Sequence, residues 1–405
     1  MCFVSTCFLS AIYVIPPCSV CIIGWPRNMT VELVQAGLLG SAPLVLSLAL
    51  MVAAQPVAAT PQFDFSGYVA AGIDHFDGFY SRGSDQRTTR VVLRSAKLEL
   101  EAKWGTGWAA EIDGNYEVRR GEEEADIGDA YLQYRGVGRV TTRLGRFKEP
   151  FGLERLASYG SVATSERSLA TSAFAPGRSQ GLLVGQYRKR WTWALGLFTK
   201  KPEGESTRAV TGRVTMAPMR GEQRVLHLGL AASWRDLADA QFQVRERGEV
   251  FSAETIIRSV RMEASDSILL GIEAAWISGR LSLTSEAIAE DVTRSNGEHW
   301  RFSGAYVQAA FFVTDDHRGY SRGELDRVKP AAGFGAVEVV ARYSAVDLRD
   351  KGLGAEASVG LLGLNYYLGE HVQLRLNWLL PQISGSTLTP EESGEAFTLR
   401  TLFLF

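Results

Sequence analysis

Cysteine is nearly missing from this chain. Of 405 residues only Cys2, Cys7, Cys18 and Cys21 are cysteine, and none follows Ile22. A disulfide framework and thiol catalysis are thereby excluded for most of the chain. Histidine is scarce: His75, His227, His299, His317 and His371 are the five, and no H-x-x-H or H-E-x-x-H spacing occurs. No metal site, cofactor motif or catalytic residue is expected. A Ser303/His299 hydrolase pair would rest on proximity in sequence alone. Neither sign of charge dominates, with a formal net charge of −2 and 22% charged residues, so no nucleic-acid partner is indicated. Past the first sixty residues no apolar run approaches the roughly 20 residues of a spanning helix. The 3.6-residue helical period is also hard to find.

What the chain has is alternation. Trp108, Ala110, Ile112, Gly114, Tyr116 and Val118 share one face, against Glu111, Asp113, Asn115 and Glu117 on the other. Val372, Leu374, Leu376 and Trp378 likewise oppose Gln373, Arg375 and Asn377. Such period-2 patterns mark strands with one apolar and one polar face. Sixteen are predicted, at 63–75, 90–103, 108–118, 126–135, 139–148, 180–188, 191–199, 207–217, 224–234, 266–277, 280–292, 299–314, 332–346, 356–368, 371–380 and 396–405. Their connections alternate short and long, with long loops near 76–89, 149–179, 235–265 and 381–395. This asymmetry, with mean hydropathy near zero, fits an all-β transmembrane antiparallel barrel, whose two faces cancel on average. A soluble sandwich of sixteen strands would be unusual. Aromatics such as Trp104, Tyr131, Trp234, Trp276, Trp300 and Trp378 suit interface girdles. One short-side connection, 315–331, is long and charged, and is a candidate to fold inward from the periplasmic mouth.

The N-terminal end reads as targeting. Gly37 to Ala54 is apolar, and Val57-Ala58-Ala59 offers small residues for cleavage. Residues 1–59 are expected to be a signal peptide, with Met29 as an alternative initiator, and 60–405 the barrel. A membrane anchor is the competing reading, opposed by Pro43 within the run.

One stretch departs from alternation. GRFKEPFGLE (Gly145 to Glu154) leads into a long segment that ends at FAPGRSQG (Phe174 to Gly181). Long loops inside compact folds are usually functional or disordered. The run RLGRFKEPFGLE, then SER at Ser165 to Arg167, then FAPGRSQG resembles the signature of the phosphate-selective porin O and P family. GDAYLQY (Gly128 to Tyr134), GAYVQAAFFVTDDHRGYSR (Gly304 to Arg322) and GLNYYLGEHVQLRLNW (Gly363 to Trp378) continue the likeness in the family's order. The resemblance implies an outer-membrane porin of a Gram-negative bacterium, a homotrimer, with its third loop folded inward to narrow the pore. It implies small anions as solutes, phosphate and polyphosphate among them. The final strand ends at Phe405, similar to the recognition signal read by the barrel-assembly machinery. The outer face would meet outer-membrane lipid.

Site candidates follow. In the narrowed region, Lys148, Arg155, Arg167 and Arg178 could present cations to an anion; arginine offers a two-pronged fork and lysine a point charge. By alternation Lys97, Lys103, Arg143, Arg213, Arg342, Arg375 and Arg400 line the lumen. Acids such as Glu99, Glu111, Asp113 and Glu286 line it too, so the wall is mixed. A general, weakly selective porin is the alternative, its loop arginines paired with Glu154 and Glu166. A structural or enzymatic barrel with a closed lumen is a third reading.

Overall fold

The alternating segments form strands because each can bury one face and expose the other, and because every strand finds a partner on both sides. A computed structural model describes residues 60–81, 87–200, 207–331, 333–385 and 392–405. The expected signal peptide and Met29 lie outside the described residues. Sixteen strands close into an antiparallel barrel. They are β1 (Gln62–Phe76), β2 (Thr88–Trp104), β3 (Trp108–Arg119), β4 (Glu122–Arg135), β5 (Val140–Lys148), β6 (Arg178–Tyr187), β7 (Trp191–Lys200) and β8 (Thr207–Arg220). Then come β9 (Arg224–Phe242), β10 (Met262–Ser278), β11 (Leu281–Arg294), β12 (His299–Phe312), β13 (Ala336–Asp347), β14 (Ala355–Leu368), β15 (Val372–Gly385) and β16 (Ala396–Leu404). Each pairs with the next, and β16 pairs with both β15 and β1. No helix among the described residues is long and apolar enough to cross a membrane.

Closure is made at Phe405. Its N–H donates to the Gly67 carbonyl at 3.1 Å, and the Gly67 N–H returns to the Phe405 carbonyl at 3.0 Å. Glycine is required at 67: a Cβ there would lie 2.3 Å from the Lys97 carbonyl oxygen and 2.9 Å from the Phe405 ring. Closed pairing matters because an open edge would leave backbone groups unsatisfied in lipid.

Outward residues are apolar and exposed, among them Leu230, Ile272, Leu376, Leu399 and Phe403. The other face carries buried polar groups, including Glu273, Glu286, Glu338, Arg342, Asn365 and Arg375. Trp191, Trp234, Trp276 and Trp378 remain exposed on the outer face, Trp191 and Trp276 at strand ends and Trp234 and Trp378 within their strands. Trp300 and Tyr131 differ from the girdle expectation. Trp300 is buried at 3% exposure in the main apolar cluster, and the Tyr131 hydroxyl donates to Glu111.

Several strands run further than their apolar pattern. β9 reaches Phe242 and β10 begins at Met262, so the connection between them is shorter than expected. Their outer ends, such as Asp236 to Gln241, carry polar residues where the ladder continues beyond the apolar band. The segment after β12 returns along the barrel: the Gly323 carbonyl accepts from Arg213 at 2.8 Å, and Arg318 donates to Glu338 and to the Ser161 carbonyl.

Candidate functional site at the third loop

The third connection on the long-loop side, residues 149–177, is anchored by carboxylates. Glu149 is fully buried. It accepts from Ser179 at 2.7 Å and Thr211 at 2.6 Å, and from both terminal nitrogens of Arg235 at 2.9 and 3.1 Å. Gly152 follows at φ +75°, in the left-handed region. A Cβ there would sit 2.9 Å from Glu286 Oε2. That close approach lets Glu286 accept the N–H groups of Leu153 (2.8 Å) and Glu154 (2.7 Å), which begin a short helix, Leu153–Leu156. Tyr306 donates to the same carboxylate at 2.8 Å.

The rest of the loop bonds to the polar faces of β13 to β15. Arg342 donates to Glu154 Oε1 (3.1 Å), Thr164 (2.7 Å), the Glu166 carbonyl (3.0 Å) and Glu249. Arg375 donates to the carbonyls of Thr164 and Tyr159 at 3.1 and 2.9 Å. Asn365 donates to the Ala163 carbonyl, and Asn377 accepts from the Ser165 N–H, each at 2.7 Å. A second helix, Leu169–Phe174, is capped by Ser168. Its first N–H donates to Glu249 of the β9–β10 loop at 2.9 Å.

The four expected throat cations take different partners. Lys148 donates to the carbonyls of Leu156 (2.9 Å) and Ala157 (3.2 Å). Arg167 donates to the carbonyls of Glu154 and Ala157, each at 3.1 Å. Arg155 donates to the Thr171 carbonyl at 2.7 Å. Burial lowers its group to about 10, which leaves it cationic at neutral pH. Arg178 forks onto Asp129 at 2.8 and 3.1 Å, and stands opposite Lys148 in the β5–β6 register. Lys148, Arg167 and Arg178 line one cavity of about 660 Å³, facing Glu99, Glu111 and Asp113. Arg155 is not part of that lining.

The expected pairing of loop arginines with Glu154 and Glu166 is not what the side chains do. The Glu154 carboxylate is taken by Ser168 and Arg342, and Glu166 by Arg94 at 2.7 Å. Arg167 reaches only the main-chain oxygen of Glu154. The reason is reach: strand arginines meet the loop acids from across the barrel, while Arg155 and Arg167 fold back on their own loop.

The residues expected to line the lumen divide into three groups. Lys97 is shared by Glu99 (2.9 Å) and Asp113 (2.8 Å). Arg143 lies over the Tyr131 ring at 4.0 Å. Both border the cavity, as does Arg213, which holds Glu273 at 3.0 Å. Lys103 is half exposed at the rim, with Asp64 and Glu101. Arg342, Arg375 and Arg400 are buried; Arg400 pairs with Asp74 at 2.6 Å. Glu286, Asn365, Asn377, Glu249 and Arg94 were missed as loop partners. Alternation puts the strand residues on the polar face, but no local signal names a partner 133 or 212 positions away.

The closed barrel matches known proteins. The sequence model of the family described as phosphate-selective porin O and P matches residues 63–405. The chain belongs to that family. Porin O of Pseudomonas aeruginosa is similar, 25% identical over 389 residues, 85% of this chain and 88% of that protein. An uncharacterized protein of Caulobacter vibrioides is 27% identical over 326 residues, 75% of this chain. The chain spans 64% of the length of that relative. Among solved structures, an anion-selective porin from Comamonas acidovorans has a TM-score of 0.56 at 15% identity, covering 85% of this chain and all of that one. The trimer form of in-vitro folded OmpT of Vibrio cholerae has a TM-score of 0.57 at 9% identity, with the same coverage. These likenesses show the barrel fold. Family and fold make the protein an outer-membrane porin and point to a channel rather than an enzyme.

Proposed function

We propose that this porin passes small anions, phosphate or related species, by passive diffusion through a constriction built by its third loop. The observation that carries the reading is the bonding of Lys148 and Arg167. Both line the cavity, and among the described residues their nitrogens meet only neutral main-chain carbonyls. Neither is held in a direct ion pair among the described residues, so each can attract an anion, while carbonyl bonding fixes its position. Arg178 completes the set, opposite Lys148. The hydrogen bonds that Asn365 and Arg375 donate to the loop, and that Glu286 and Asn377 accept from it, support a loop folded inward. Lys97, Arg143 and Arg213 line the approach. Phe405 serves as the terminal signal for the assembly machinery, the apolar girdle meets lipid, and the functional unit is a homotrimer, as in the trimer form of the OmpT neighbour.

A weakly selective porin is favoured by one specific observation, the carboxylates Glu99, Glu111 and Asp113 on the facing wall. Single-channel current in chloride, with phosphate titrated in, separates the two. Block by low phosphate supports the anion site. Current indifferent to phosphate, with no anion preference, supports the general pore. Absence of current removes both.

A further inference from the structure

The cavity beside the third loop is lined by charged groups of both signs. On one side stand Lys148 and Arg167, bonded only to carbonyls. On the other, Glu99, Glu111 and Asp113 bring carboxylate oxygens within 4.8 Å of one another. One ammonium, Lys97, serves both Glu99 and Asp113. Glu111 is met by the Tyr131 hydroxyl, a neutral donor. Asp113 is 2% exposed, and its Oδ1 has no hydrogen-bond partner among the described residues. Arg178 is forked on Asp129 and reaches Asp113 only at 3.9 Å, so the three carboxylates have Lys97 as their one close cation among the described residues.

The two patches adjoin. Arg178 stands opposite Lys148, forks onto Asp129, and comes within 3.9 Å of Asp113 Oδ2. The acids lie on β2 and β3 and Lys148 on β5. Two strand spacings, about 10 Å along the wall, separate β3 from β5, and long side chains shorten that span. A simple anion satisfies one patch and is repelled by the other. A solute with both charges satisfies each.

We propose that the cavity takes a small dipolar solute, a primary amine bearing a phosphonate or phosphate group. Its anionic end sits at Lys148 and Arg167. Its ammonium sits at Glu99, Glu111 and Asp113, where charge-assisted hydrogen bonds hold it. This inference rests on reading the same cavity as the anion throat.

The test compares 2-aminoethylphosphonate with ethylphosphonate as blockers of chloride current through the whole porin in a planar bilayer. The probes differ by the ammonium. Half-block by the amine is expected at about tenfold lower concentration. In an E99Q/E111Q variant that keeps its heat-shifted gel mobility, this ratio should collapse toward one. The unmodified protein decides even if that variant does not fold. Equal block, or weaker block by the amine, overturns the inference and leaves the anion reading standing. Block by neither probe overturns both. Block by the amine alone supports the dipolar site and removes the simple-anion reading.

Discussion

Arg342 and Glu154 meet across 188 residues of sequence, Nη1 lying 3.1 Å from Oε1, both buried. The pair ties the third loop to the wall opposite the strands it leaves and enters. Arg342→Met would strand Glu154 and Glu249 without their cation. Breaking a buried pair from one side costs about 3–5 kcal/mol. A lower urea midpoint is expected, with larger and noisier single-channel conductance. Unchanged conductance would show that the loop holds its place without Arg342.

Glu286 makes a second tie by accepting two loop N–H groups. Glu286→Ala leaves both donors buried and unpaired, at about 1–3 kcal/mol each. Open-channel noise should rise while the barrel still migrates as a folded species. A quiet channel of native conductance would contradict this role.

Charge reversal tests the throat directly. Arg167→Glu with Arg178→Glu replaces two cations facing the cavity with acids. The reversal potential under a salt gradient should change sign, from anion to cation preference. If it does not move, selectivity is set elsewhere.

The loop between β9 and β10 carries a pH-sensitive group. Burial pushes the Glu246 carboxyl up from 4.5 to about 8. A carboxyl raised on folding contributes stability fully below about pH 4.5, and that contribution is lost as pH rises through about 8. The urea midpoint should therefore be higher at pH 5 than at pH 9. Glu246→Gln, neutral throughout, should shrink that difference. An equal difference in the variant would assign the effect to another group.

Phe405 is 41% exposed, so Phe405→Ala should change the stability of refolded protein by no more than about 0.5 kcal/mol. Its yield in the outer membrane should fall several-fold if the side chain is an assembly signal. Equal yields would leave Phe405 with only its backbone role at Gly67.

The barrel was legible because alternation is a local property. Trp108 to Val118 and Val372 to Trp378 display it without reference to anything distant, and both stretches are strands. Strand ends were less legible where the ladder outruns the apolar band, as at Glu122 to Glu124 or Asp236 to Gln241, since solvated strand and loop share a composition. The candidate site was legible by residue type only. Lys148, Arg167 and Arg178 do share a cavity, but the sequence could not say that Arg155 turns away. Nor could it say that Glu154 and Glu166 would be claimed by Arg342 and Arg94. Those choices depend on curvature, which brings β13 to β15 opposite the third loop.

The main apolar cluster joins Phe151, Leu169 and Phe174 of the third loop to Val250 and Ile256 of the next long loop and to Leu269, Ile288 and Trp300 of the strands. The protein thus has two apolar surfaces facing different solvents. The girdle is matched to lipid and tolerates detergent. The cluster depends on exclusion of water, as in a soluble protein, and denaturant weakens it. Melting should then run in two stages, with the loops undocking before the strands part, so the pore would lose its selectivity while the wall still stands.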